Sequence, residues 1–278
     1  YRRNHCPTLP TAGNRVSPYW AIFSGRLRML LQYRTAALAG LGTQVFWGLI
    51  RVMAFEAFYR SSDAPVPLSL GQTADYIWLS QAFLMLLPIR LDSEIRAMVR
   101  SGSVAYELVR PLHLYSLWYA RTVASCLAPT ALRCIPLLLI AFFLFDMGLP
   151  ATPGAALAFS LTMISALLLA AALSNVLNIT LLWTLTGEGM AHIAQVATFL
   201  FCGMIVPLPL FPDGVQTVLN YSPFAGLMDL PFRLYIGHIP AEDVGGVLLR
   251  QIGWTAGFIA FGRWLLRRGT RVLVTQGG

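Results

Sequence analysis

Lysine is absent from these 278 residues: all twenty basic residues are arginine. A Schiff-base lysine is therefore excluded. So is the phosphate-binding lysine of the nucleotide loop G-x-x-x-x-G-K-[ST], which means that any ATP-driven activity has to come from a partner. Charge is scarce, at 12% of residues, and only 12 residues are acidic. Cys6, Cys126, Cys134 and Cys202 are scattered, and three of them lie in apolar runs, which leaves neither a disulfide framework nor a paired CxxC site. They read as small core residues. His5, His113, His192 and His238 are equally dispersed, so no metal site is expected. Without a G-x-S-x-G elbow, an H-E-x-x-H helix or a close pair of membrane carboxylates, an intramembrane enzyme is disfavoured.

What is present is apolar. Hydrophobic residues make up 56% of the chain and the mean hydropathy is +0.64, too little polar surface for a soluble globule of this length. A helix needs about 20 mostly apolar residues to cross a hydrocarbon core about 30 Å thick. Six runs are candidates, at approximately 35–58, 74–89, 117–145, 155–182, 190–206 and 247–266. The second is short, and the third is interrupted by Arg121, Pro129, Arg133 and Pro136. The fourth is the clearest, and its small residues suit close helix packing in lipid. The expected fold class is an all-α polytopic membrane protein forming a single domain over 1–278. It comprises six transmembrane helices, an N-terminal interfacial helix, a cytoplasmic coupling helix and a re-entrant outer hairpin before the last span. The first 18 residues contain Arg and Pro and no apolar core, so no cleavable secretory signal is evident, and the non-Met start suggests processing or trimming.

Orientation follows from arginine placement, because positive charge is retained on the cytoplasmic side. With both termini inside, six arginines fall in the first segment (Arg2, Arg3, Arg15, Arg26, Arg28, Arg34). Five fall in the second-to-third connection (Arg90, Arg96, Arg100, Arg110, Arg121) and four in the tail (Arg263, Arg267, Arg268, Arg271). The opposite side receives only Arg60 and Arg233. This bias places the chain in the cell's inner (plasma) membrane with cytoplasmic termini. It also explains the high pI without nucleic acid, which would need a basic patch on a water-facing domain.

Three connecting segments stand out. Residues 17–34, SPYWAIFSGRLRMLLQYR, open with a Ser-Pro helix start and mix aromatics with Arg, as an interfacial helix would. Arg26 and Arg34 fall near the angular sector of Phe23 and Leu27, so the segregation is imperfect, and a plain extension of the first span is the alternative. Residues 90–116 form the coupling region. There Leu91, Ile95, Met98 and Val99 share one face, and Asp92 and Arg96 make an i,i+4 pair. Gly102 and Pro111 supply stops. Such a helix, tethered to a span at each end, can carry a push into the membrane; an ordinary solvated loop helix has the same composition. Residues 207–245 form the outer region, where Pro207, Pro209, Pro212, Pro223 and Pro231 cut an aromatic-rich stretch into pieces too short to span. Short re-entrant helices covered by protein are the expectation.

This order of parts resembles the ABC-2 type exporter permeases. The stretches SGSVAYELVRPL (101–112) and CGMIVPLPLFPDGVQTVLNYSPFAGLMDLPFRLYIG (202–237) are similar to the viologen-exporter-type branch. Where that branch usually has Ser before the Gly of the fifth span, this chain has Cys202 before Gly203. The resemblance implies a permease subunit that holds no cofactor itself. It is driven by two copies of a cytoplasmic ABC ATPase, which bind ATP and Mg and dock on residues 91–112. A second permease, identical or homologous, completes the pathway through the lipid. By the same resemblance Asp92, Glu94, Arg96, Arg100, Glu107 and Arg110 are ATPase-coupling candidates, and Pro207, Phe211, Pro212, Pro223 and Phe224 of the Pro-rich hairpin are outer-gate candidates. An amphiphilic or hydrophobic small molecule, moved by alternating access, is the expected cargo.

Ionisable residues within a span are functional candidates by default. Arg51, with Glu56 five residues on, and Arg133 are such residues: each faces a translocation pathway or pairs with a carboxylate, the alternative being that it snorkels or pairs structurally at a helix interface. An arginine in the pathway would not welcome a cationic substrate. Gln44, Asn175, Asn178 and Gln195 are read as helix-to-helix bonders rather than ligands. The rival class, an ion-coupled secondary transporter, predicts paired broken helices and midplane carboxylates in two matching halves, and neither is evident.

Overall fold

The computed structural model describes residues 17–32, 34–61, 66–88, 91–184 and 187–271. Arg2, Arg3, His5, Cys6, Arg15 and Arg90 lie outside the described residues, as does position 33 within the interfacial segment. The described residues are helical, with no strand among them. In order they form α1 (Pro18–Leu31), α2 (Arg34–Ala39), α3 (Leu41–Ser61), α4 (Leu70–Ala82), α5 (Ser93–Arg100) and α6 (Val104–Leu108). There follow α7 (Leu114–Leu144), α8 (Pro153–Thr184), α9 (Glu188–Phe201), α10 (Asp213–Asn220), α11 (Asp229–Tyr235) and α12 (Val244–Gly269).

Local chemistry sets several of these boundaries. Pro18 stands in the first turn of α1, directly after Ser17, where its missing N–H has no intrahelical role. A capping box starts α4: the Gln72 N–H donates to Ser69 Oγ (3.1 Å), and the Ser69 N–H donates to Gln72 Oε1 (2.9 Å). The helix therefore begins ahead of the apolar run expected at 74–89. It also ends earlier, at Ala82, and passes into a 3-10 turn over Leu84–Leu86. Pro129 and Pro136 do not divide α7, which runs as one helix of 31 residues. Neighbouring helices and side chains hold such a helix together in lipid.

Antiparallel α7 and α8 form the axis of the bundle. α12 packs along α8, α1 along α7, and α3 against α4. Ala170, Ala171 and Ala172 are fully buried in α8, and small side chains there let its neighbours approach closely. The bundle so has two ends. At one, Ile95 and Val99 of α5 and Val104 of α6 pack with Trp118, Ile179 and Leu182. At the other, α11 lies against α8, where Leu230 and Leu234 pack with Ala158, Leu208 and Val247.

Among the described residues three stretches are long and apolar enough to cross a membrane: α7, α8 and Ala241–Gly269, which contains α12. The other three candidate spans fall on α2–α3, on α4 with its 3-10 turn, and on α9. α3 has 21 residues but includes Arg51, Glu56 and Arg60. α4 and α9 have 13 and 14 residues, or roughly 20 Å each at 1.5 Å per residue. Segment 202–212 extends α9 without being helical in full: Gly203 takes φ +82, and a 3-10 turn covers Leu208–Leu210.

Candidate functional site

Five charged side chains meet at the basic end, where α1, α5, α6 and α7 converge. Asp92 caps α5, its Oδ1 accepting from the Glu94 N–H (2.9 Å) and the Ile95 N–H (3.3 Å). Its other oxygen lies 3.3 Å from Nη2 of Arg26 on α1. Glu94 pairs with both Arg26 and Arg121 of α7. Arg121 also lies 3.5 Å from Glu107, whose second oxygen accepts from Trp118 Nε1 at 2.8 Å. The Asp92 N–H donates to Asn178 Oδ1 of α8 (2.9 Å), and Tyr19 Oη accepts from the His113 N–H (3.1 Å). Two arginines thus tie three acids into one cluster that clamps α1, α5, α6 and α7 together. The side chains of Arg26, Arg121, Asp92 and Glu107 are nearly buried, and Glu94 is half-exposed.

The six coupling candidates therefore divide. Asp92, Glu94 and Glu107 face inward, onto the chain's own arginines. Arg96 reaches Glu188 at the start of α9 (3.3 Å). Arg100 and Arg110 are exposed and make no ion pair among the described residues. Around them the α6 segment turns apolar side chains outward, with Tyr106, Leu108 and Val109 exposed by 78%, 46% and 84%. Ile95 and Val99 are buried beneath α5, as the face pattern predicts.

Sequence reasoning counted Arg26 and Arg121 only as topology signals, yet they hold the cluster. A trace of this was visible, because Arg26 shares a sector with Phe23 and Leu27. A charge on the packed face of an amphipathic helix needs a buried partner.

At the opposite end a second cluster centres on Asp229, which is fully buried. It accepts from Tyr76 Oη of α4 (2.8 Å), from the Leu208 N–H (3.1 Å) and from Arg233 Nη1 (3.3 Å). Arg233 also donates to Asn220 Oδ1 (2.9 Å) and to His238 Nδ1 (3.2 Å). Burial and the neighbouring Arg233 charge hold the His238 pKa below its ordinary value. Pro207 is buried, Phe211, Pro223 and Phe224 are half-buried, and Pro212 is exposed. The Phe224 ring sits 5.9 Å from that of Phe201, at the end of α9. A Cβ at Gly203 would fall on Tyr76 Oη.

The membrane charges separate as well. Glu56 pairs with Arg60, one turn on, rather than with Arg51. Arg51 donates to Ser80 Oγ of α4 (2.8 Å) and to the Ile205 carbonyl (3.2 Å). Arg133 reaches Met85 Sδ at 3.4 Å. Gln44 Nε2 donates to the Gln81 carbonyl (3.0 Å), a bond between helices as expected. Cys126, Cys134 and Cys202 are free thiols in the interior. Among the described residues no cluster of His, Cys, Asp and Glu could hold a metal ion.

Comparison with known proteins supplies one match. The profile of a family described as ABC-2 family transporter protein covers residues 45–277. No curated protein matches the chain.

Proposed function

Because the chain belongs to the ABC-2 family of transporter proteins, we propose that it is the permease subunit of an exporter whose ATP hydrolysis resides in separate cytoplasmic subunits. Two such ATPases, holding ATP and Mg, dock at the basic end. A second permease, identical or homologous, completes the pathway. In this reading the chain crosses the inner membrane six times with both termini in the cytoplasm, and 207–245 is the re-entrant outer gate. An amphiphilic or hydrophobic small molecule leaves by alternating access, each state differing in its affinity for the cargo.

The observation that carries this reading is the two-sided character of α5 and α6. Inward, their acids are clamped to Arg26 and Arg121; outward, Tyr106, Leu108 and Val109 stand exposed with Arg100 and Arg110 close by in sequence. An apolar patch flanked by arginines suits a protein partner, since aromatic residues and Arg are enriched at interfaces. The clamp gives that partner a rigid lever into α1 and α7. Docking then rests on the Tyr106–Arg110 surface, while Asp92, Glu94 and Glu107 transmit the movement.

The test is purification of the chain from its native membrane with whatever accompanies it. A P-loop ATPase should co-purify, and Val109→Asp combined with Tyr106→Asp should release it while leaving the permease folded. Recovery of the chain alone, with no nucleotide dependence in a reconstituted flux assay, would sink the proposal.

A further inference from the structure

We infer that the export pathway proposed above takes an amphiphilic anion, with its carboxylate or phosphate head at Arg51 and its apolar body in the adjoining cleft between α3 and segment 205–210. This rests on the permease reading and narrows its cargo.

Arg51 differs from three other cations of the interior. Arg26, Arg121 and Arg233 each meet a carboxylate of the chain, whereas Arg51 meets none among the described residues. Its partners are a hydroxyl and a backbone carbonyl. A guanidinium carries five N–H donors, and among the described residues Ser80 and Ile205 take two of them. Arg51 stands at the centre of the 21-residue α3 and seven residues, roughly 10 Å at 1.5 Å per residue, inside the outer end of the candidate span 35–58. A membrane cation so placed faces a cavity or pairs with an anion.

The cavity is there. Ala54, Phe55 and Phe58 follow Arg51 at helical spacing on one face of α3, and with Val206 and Leu210 they line a cleft of about 330 Å³. That volume lies at the lower end of small-molecule sites, about 300–1,000 Å³. The carbonyl that holds Arg51 belongs to Ile205, the neighbour of the lining residue Val206. The cleft is aromatic and uncharged, and a guanidinium one turn along α3 from Ala54 and Phe55 complements an oxyanion joined to an apolar body, since Arg binds carboxylate and phosphate through paired N–H donors. It opposes a quaternary ammonium.

The test uses the full chain, with any co-purifying subunits, in phosphatidylcholine nanodiscs. Binding of a fluorescent twelve-carbon fatty acid is compared with that of its trimethylammonium counterpart. The anion should bind at least tenfold more tightly. Arg51→Gln should remove that preference, Arg51→Lys should restore part of it, and Ala54→Glu, at an exposed position one turn away, should reverse it. Equal binding of the two probes, or loss of both together in Arg51→Gln with Ala54→Glu indistinguishable from wild type, would assign Arg51 to structure alone and overturn the inference. Displacement of the fatty acid by phosphatidylglycerol would give the site to a bilayer lipid and overturn the cargo assignment. Anion preference in a preparation with no ATPase and no nucleotide-dependent flux would leave the site standing and refute the permease reading instead.

Discussion

The two polar clusters solve the same problem in opposite ways. At the basic end, five charges from four helices share contacts, and the central one, Glu94, is half-exposed. At the proline-rich end, a single fully buried acid, Asp229, is held by a phenol, a backbone N–H and an arginine one turn along its own helix. The first joins four separate helices through charge pairs that meet at one half-exposed carboxylate. The second fixes one short helix to α4 and to the 3-10 turn through a carboxylate that is fully buried. A joint centred on a half-exposed carboxylate loses less when one contact opens than a joint centred on a buried one, where a lost partner leaves a charge uncompensated.

That contrast fails or sharpens under mutation. Asp229→Ala strands the Arg233 charge and the Leu208 N–H, and should cost about 3–5 kcal/mol, seen as a large fall in the unfolding midpoint in detergent. Tyr76→Phe removes one bond to the same carboxylate and should cost about 1.5–3 kcal/mol in the same assay. Glu94→Gln loosens both bridging arginines, yet with a half-exposed partner it should cost only about 1 kcal/mol or less. Its main effect should be a severalfold loss of transport-coupled ATP hydrolysis with the ATPase still bound. If Glu94→Gln destabilised the chain as much as Asp229→Ala, the two clusters would be the same kind of structure.

The smallest effect concerns pH. Because the folded-state pKa of His238 lies below its ordinary 6.5, the unfolded chain binds more protons in the window below that value. Stability therefore falls as pH drops through about 6.5 and is fully retained above it. His238→Gln should flatten this slope in melting curves recorded at pH 8 and at pH 5.5.

How far the sequence reached depended on the type of signal. The axis helices α7, α8 and α12 were legible, because long apolar runs leave little choice in a bilayer. The start of α4 was not, because Ser69 and Gln72 define it outside the apolar run. The prolines of α7 left only its boundaries in doubt: the run expected at 117–145 is one helix, Leu114–Leu144, because a proline interrupts an isolated helix far more than one wedged among neighbours. The buried face of α5 followed from helical spacing. Its acids were read as coupling candidates, and nothing in a single sequence says that Glu94 also meets Arg26, 68 residues away. Asp229 and Tyr76, 153 residues apart, left no local trace at all.

Gly203 extends that last pair into a matter of heredity. Its backbone sits at φ +82, and the space a side chain would need is filled by the hydroxyl of Tyr76, the same hydroxyl that serves Asp229. Every missense codon at 203 is thus in effect a lesion at Tyr76 and Asp229 too. Three positions scattered along the gene should share one tolerance in a saturation screen. A reversion that rescues one should be sought beside the other two.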